Sequence, residues 1–167
     1  MVTIAAVILA IGLGAAPSRR VERCHVAFQL PAGWVASPGT TKDGNCRFDL
    51  SPRSRRRSQG SAITIDVFAG SIDDAEGVGQ FSKDEHGWFT EGRQGVTNRA
   101  EEIKTPCCVA IRGFNEVGRY GKAGYLGMGQ MRVAFVAGKG RAAFLQSSLD
   151  GDADQVFDRL LLSLEFR

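Results

Sequence analysis

Between Cys24 and Leu30 apolar and polar side chains alternate: Cys24, Val26, Phe28 and Leu30 fall on one face, and His25, Ala27 and Gln29 on the other. A period of two is the mark of a half-buried strand, and Pro31 with Gly33 ends it. After a loop holding Pro38, Gly39 and Gly44, the inward period returns at Cys46, Phe48 and Leu50 until Pro52 stops it. The two runs predict a hairpin. Residues 53–60 read as a polar loop, and Ile63, Ile65, Val67 and Ala69 mark a third strand. Ser71 ahead of Asp73, Asp74 and Glu76 carries the chemistry of a helix start, a hydroxyl acceptor followed by acids at the positive end of the dipole. It predicts a helix over 72–90 with Ile72, Ala75, Val78, Phe81 and Trp88 along one face. Gly77, Gly79 and Gly87 each weaken that helix by up to ~1 kcal/mol relative to Ala, so packing has to hold it.

From residue 108 to 149 the pattern is an antiparallel meander, with strands over 108–117, 125–137 and 141–149 joined by glycine-rich turns. Met131, Val133, Phe135 and Ala137 are its clearest alternation. Residues 150–154 then cap a last helix whose stripe is Val156, Leu160, Leu161 and Leu164. No internal repeat interrupts this order. The fold class is α+β: a central antiparallel β-sheet flanked by helices.

Composition agrees with one folded unit. The 167 residues are 43% hydrophobic and 23% charged, globular and not disordered. A chain of this length buries close to ~70% of its unfolded surface in one core. Residues 2–16 are an uncharged apolar run, shorter than the roughly 20 residues that cross a bilayer as a helix. They read as the core of a signal peptide over 1–16, with Gly14 and Ala16 as the small residues before cleavage and 17–167 as the single domain. Arg19, Arg20 and Arg23 follow the run and no Lys or Arg precedes it, the reverse of the usual charge order. A retained anchor or a buried N-terminal helix are the alternatives. The expected location is periplasmic or secreted, and no lipobox precedes Cys24.

Four cysteines, Cys24, Cys46, Cys107 and Cys108, suit an oxidising compartment. No Cys-x-x-Cys spacing is present and the two histidines lie far from the cysteines in sequence, so disulfides or plain buried thiols are expected in place of a metal site. A hairpin closed between Leu30 and Cys46 would leave Cys24 about 20 Å along the ladder from Cys46, beyond the ~7 Å between Cα atoms that a disulfide spans. A shifted register brings Cys24 to Cys46. Otherwise one of them bonds Cys107 or Cys108, only one of which faces the core. A ring between Cys107 and Cys108 is the least comfortable of these bonds, and a redox role for that pair is a further reading.

Three segments resemble the PsbP/Mog1-like family, including its secreted bacterial members: the opening Phe28-Gln29-Leu30-Pro31-Ala32-Gly33-Trp34, the strand Ile111-Arg112-Gly113, and the closing run from Val156 to Phe166. The order of elements is similar across most of the mature chain. The resemblance implies an α/β/α sandwich on a central antiparallel sheet, in a family whose members mostly bind other proteins. It carries over no catalytic residue, and fold alone does not fix function.

Candidate chemistry is sparse. Gly-x-Ser-x-Gly is missing, and His86, among Asp84, Glu85 and Trp88, is the better placed of the two histidines for acid–base work. His25 is expected on the outward face of the first strand. Gly138-Lys139-Gly140-Arg141-Ala142-Ala143 matches a dinucleotide fingerprint in letters, but a strand follows it where a phosphate loop opens a helix. A hairpin turn is the reading its context supports. Gly124, Gly127 and Gly129 are expected as strand glycines that permit a bulge. Arg53, Arg55, Arg56 and Arg57, interleaved with serines, are the densest charge in a chain of net +3. Such a cluster can hold phosphate, lipid head groups or an acidic surface, or can be a solvated loop.

These readings make the expected function that of an exported, non-enzymatic protein-binding module, an accessory or immunity protein of a secretion system. A binder of an anionic small ligand or lipid head group at Arg53–Arg57 is the alternative, and an envelope hydrolase using His86 the third. No cofactor, metal or specific nucleic acid is expected, and membrane contact only through an uncleaved N-terminal segment.

Overall fold

The computed structural model describes residues 18–55, 60–78, 80–92, 97–148 and 153–167; the expected signal peptide over 1–16 and the arginines Arg56 and Arg57 lie outside them. The chain enters as β1 (Arg19–Arg23), turns through Cys24 and His25, and returns as β2 (Val26–Leu30). Both turn residues sit in the left-handed region, at φ 58° and 61°. Two-residue hairpins need that backbone, and it costs a non-glycine side chain about 1–2 kcal/mol. His25 is therefore an exposed turn residue and not a strand residue. β1 is almost wholly charged, with only Val21 packing against the core, so periodicity does not mark it.

β3 (Trp34–Thr40) and β4 (Cys46–Pro52) form the next hairpin, and β4 then pairs with β5 (Ile63–Ala69). The expected hairpin between the first two apolar runs does not form. The segment expected as a loop is itself a strand, and it takes the place beside β4. Pro38 is accommodated there because β3 is an edge strand.

The expected helix over 72–90 is also absent. Ser71 starts one, its N–H donating to Asp74 Oδ2 at 2.7 Å, but only a 3-10 turn over Ile72–Ala75 follows. The backbone then takes positive φ at Gln80 and again at Gly87 (60° and 108°), which no helix contains. The segment becomes β6 (Ser82–Asp84) and β7 (Gly87–Glu91), joined by β8 (Thr97–Arg99) into a small antiparallel sheet. Phe81 and Trp88, expected on a helix face, are buried from this sheet instead, and Val78 is 53% exposed.

β9 (Glu101–Lys104), β10 (Val109–Gly121), β11 (Gly124–Gly138) and β12 (Arg141–Ser147) complete a seven-stranded antiparallel sheet in the order β3-β4-β5-β12-β11-β10-β9. Lys139 and Gly140, at φ 54° and 71°, make the two-residue turn between β11 and β12. The chain closes with α1 (Asp154–Ser163) and β13 (Glu165–Phe166), which pairs with β2. Ala153 occupies the N-cap of α1 with no side-chain bond, and Asp154 lies in the first turn.

The inner half of β11, over 133–137, and β12 are buried on both faces. Ala134, Val136, Ala143 and Leu145 join Phe28, Phe48 and the apolar face of α1 in one core. Val133, Phe135, Ala142 and Phe144 join Phe81, Trp88 and Ala75 in a second. The layers are thus α1 with the β1–β2–β13 sheet, the seven-stranded sheet, and the β6–β7–β8 sheet. Among the described residues one α-helix is present, so the expected flanking by helices on both faces is replaced, on the second, by β-structure. The protein is predominantly antiparallel β.

Candidate functional site

β10 and β11 outrun their neighbours. β9 pairs only with Val109 to Arg112, and β12 only with Val133 to Gly138. Beyond those rows the two strands continue as a ribbon to a turn at Gly121 and Gly124. The root of the ribbon is fastened on both sides. On one side Thr90 Oγ1 donates to the Phe114 carbonyl at 2.6 Å, and Gly113 is closely packed: an added Cβ would lie 3.3 Å from Ala100 Cβ and from the Phe81 ring. On the helix side Asp158 accepts from Arg112 Nη1 at 3.1 Å and Arg132 Nη1 at 3.2 Å.

These side chains line a cleft of about 660 Å3 between the root and α1. Its charges are already matched. Arg112 also bonds Glu101 at 2.6 Å, Arg132 meets Asp154 at 2.9 Å, and Arg99 bonds Asp84 at 2.8 Å. The Glu101 hydrogen bond raises the Arg112 guanidinium further above its ordinary value, and the Arg99 hydrogen bond holds the Asp84 carboxyl below its own. A cleft whose three arginines each hold a carboxylate offers little net attraction to an anion.

The tip is different. Tyr120, Leu126, Tyr125 and Met128 are 69%, 65%, 53% and 40% exposed. Tyr120 and Tyr125 are cross-strand partners with ring centroids 5.6 Å apart, and Met128 faces Gly118 two rows inward. A register shift at Arg119 and Tyr120, with Gly124 and Gly127 at φ 110° and 115°, is the bulge that the glycines were expected to permit. Gly118 and Gly121 let the large side chains lie down on the ribbon, since an added Cβ at either would stand 3.0 Å from Tyr120 or Leu126. From Val117 to Leu149 the sequence holds no Asp or Glu, so the tip's own charges, Arg119 and Lys122, are cations. Single exposed apolar residues are ordinary, whereas here four stand together at the end of one ribbon. Alternation predicts these strands, but it does not show that they leave the sheet. The exposed signal readable in the sequence is two tyrosines set among glycines with no acid nearby.

The sequence-derived candidates scatter. Arg53 and Arg55 share a shallow cleft of about 540 Å3 with Ser37, Ser51 and Asp49. The Arg55 Nε donates to the Gly60 carbonyl at 3.1 Å, and Asp49 accepts from Ser61. His86 sits in the β6–β7 turn, not late in a helix. Its Nε2 is 3.4 Å from Glu85, its N–H donates to Asp84, and its side chain is 68% exposed. Cys24 and Cys46 are bonded, with Cα atoms 6.3 Å apart. The ladder distance that forbade this pairing assumed a β2–β4 hairpin, and β2 belongs to a different sheet from β4. Cys107 and Cys108 are bonded to each other at the turn between β9 and β10. Among the described residues no helix is long and apolar enough to cross a membrane, and no group of three or more His, Cys, Asp or Glu gathers as a metal site.

No protein-family model matches the chain, and no curated protein matches it. A crystal structure from Bacteroides thetaiotaomicron is similar at 10% identity and a TM-score of 0.46, over 86% of this chain and 45% of that one. The chain thus spans less than half the length of that protein. The solution structure of cyanobacterial PsbP from Synechocystis is similar at 13% identity and a TM-score of 0.49, over 93% of this chain and 96% of that one. PsbP is the family that the opening, middle and closing motifs of the sequence resemble.

Proposed function

We propose that the protein is an exported, non-enzymatic module that binds another protein through the tip of the β10–β11 arm. The observation that carries this reading is the exposure of Tyr120, Tyr125, Leu126 and Met128 together on a stretch of ribbon with which, among the described residues, no third strand pairs. Tyrosines present a large apolar face at small entropic cost, together with a hydroxyl that can bond a partner. The Cys24–Cys46 bridge and the apolar run at residues 2–16 support export. An accessory or immunity role in a secretion system fits a small module of this kind.

The test is photo-crosslinking in the native envelope from a probe at Leu126, with one at exposed Lys42 as control. A discrete adduct with one protein from Leu126 and none from Lys42 is expected, and it should vanish in Tyr120→Ser/Tyr125→Ser while the fold is kept. Identical products from both probes, or an adduct indifferent to the double substitution, would overturn the reading. The cleft holding Arg53 and Arg55 supports a second reading, an anionic small ligand or lipid head group. Calorimetry with inorganic phosphate tests it: heat lost in Arg53→Ala would support it, and no heat from the intact protein would end it.

A further inference from the structure

The Cys107–Cys108 cystine touches one of the places where β13 is fastened to its surroundings. β13 pairs with β2 through Glu165 and Ala27, and the Arg167 N–H donates to the His25 carbonyl at 2.9 Å. In an antiparallel pair alternate residues turn their carbonyls away from the partner strand, here those of Leu164 and Phe166. Lys139 Nζ donates to Phe166 O at 3.2 Å. Cys107 Sγ meets Leu164 O at 3.1 Å. Leu164 is 1% exposed, so water does not readily stand in for a donor. As half of a disulfide, Sγ has no proton to donate; as a thiol it has one, already within bonding distance. Cys108 Sγ rests over Gly138, where an added Cβ would come within 3.1 Å.

We propose that Cys107 and Cys108 are a reversible dithiol–disulfide couple, exchanged by a dithiol reductant, whose reduced form fastens β13 to the sheet. In the exchange a thiolate of the reductant attacks one sulfur, breaks the Cys107–Cys108 bond and forms a mixed disulfide. The reductant's second thiolate displaces it, leaving as a cyclic disulfide. Two electrons pass to the pair, and two protons end on Cys107 and Cys108. Both residues are only partly buried, the access that exchange requires. Folding separates this couple from the other cystine. Cys24 and Cys46 are 22 residues apart in sequence and are held together by the fold, which favours their bond, whereas adjacent residues gain nothing from being brought together.

The test titrates the native full chain with dithiothreitol at neutral pH, quenches with acid, alkylates and maps by mass. Trypsin cuts after Lys104 and Arg112, so both sulfurs fall in one peptide. That peptide is expected to gain two labels together, at a reductant ratio at least about tenfold below that opening Cys24–Cys46. Amide exchange at Glu165 and Arg167 should slow by at least about threefold on reduction. Cys107→Ser, whose hydroxyl donates in either redox state, should match the reduced protein without reductant. Joint reduction of both cystines only on unfolding would overturn the proposal. So would equal exchange at Glu165 and Arg167 in the oxidised and reduced wild type, a comparison that needs no variant.

Discussion

Opening the Cys24–Cys46 bridge by Cys24→Ser/Cys46→Ser removes, first of all, a constraint on the unfolded chain. For a sequence separation of 22 residues, loop-closure entropy amounts to about 3.4 kcal/mol at 25 °C. Both cysteines also pack against the first core, and serine hydroxyls there add to the loss, so about 3–5 kcal/mol in total is expected. At this chain length that corresponds to a fall in Tm of about 2–4 °C per kcal/mol. Urea denaturation followed by tryptophan fluorescence is the assay, because Trp34 packs against one core and Trp88 lies in the other. The m-value should rise, since the unfolded chain without the bridge exposes more surface. The comparison is Cys107→Ser/Cys108→Ser, which spans a separation of 1 and should change stability by less than about 1 kcal/mol. A loss below about 1 kcal/mol for the first variant, at unchanged m, would refute the entropic account.

Phe157→Ala, at a residue with 0% exposure, should cost about 3–5 kcal/mol in the same urea assay, while Leu162→Ala on the 52% exposed side of α1 should stay within about 0.5 kcal/mol. Gly113→Val forces a side chain against Ala100, Phe81 and Thr90, and should destabilise by about 1–3 kcal/mol; an unchanged midpoint would mean that the ribbon root is loosely packed. Arg20, bonded to Glu165 at 2.8 Å, holds that carboxyl below its ordinary 4.5. A carboxyl lowered in the folded state stabilises it above 4.5 and loses that contribution as pH falls through the lower folded value. Glu165→Gln should therefore flatten the fall of Tm between about pH 6 and about pH 3, and an identical slope would count against the pair.

Strands whose two faces differ were legible from letters alone, as β4 and β5 follow their alternation, whereas β2 and the inner half of β11 are strands buried on both faces. Where pattern misled, the backbone decided. The run from Ile72 to Trp88 has apolar residues at helical spacing, yet positive φ at Gln80 and Gly87 and the burial of Phe81 and Trp88 by a small sheet override it. β1 escaped because four of its five residues are charged and its pairing, not its side chains, makes it a strand. Pairing partners are long-range facts, so the assumed β2–β4 ladder and the cysteine distances built on it could not be checked within either run. The arm's projection was hidden for the same reason, since it depends on where β9 and β12 stop.

The first sheet of the protein joins its earliest strands to its last. β2 receives β1 on one side and β13 on the other, with Glu165 and Phe166 opposite Ala27 and Val26. Contacts of such sequence separation form late, because the whole intervening chain must be closed as a loop. Until Glu165 and Phe166 have docked, β2 keeps an open edge and the core face it shares with Phe157 stays incomplete. Closing this sheet is therefore a late step of folding, and β1 and β13, far apart in sequence, end as the two flanks of one short strand.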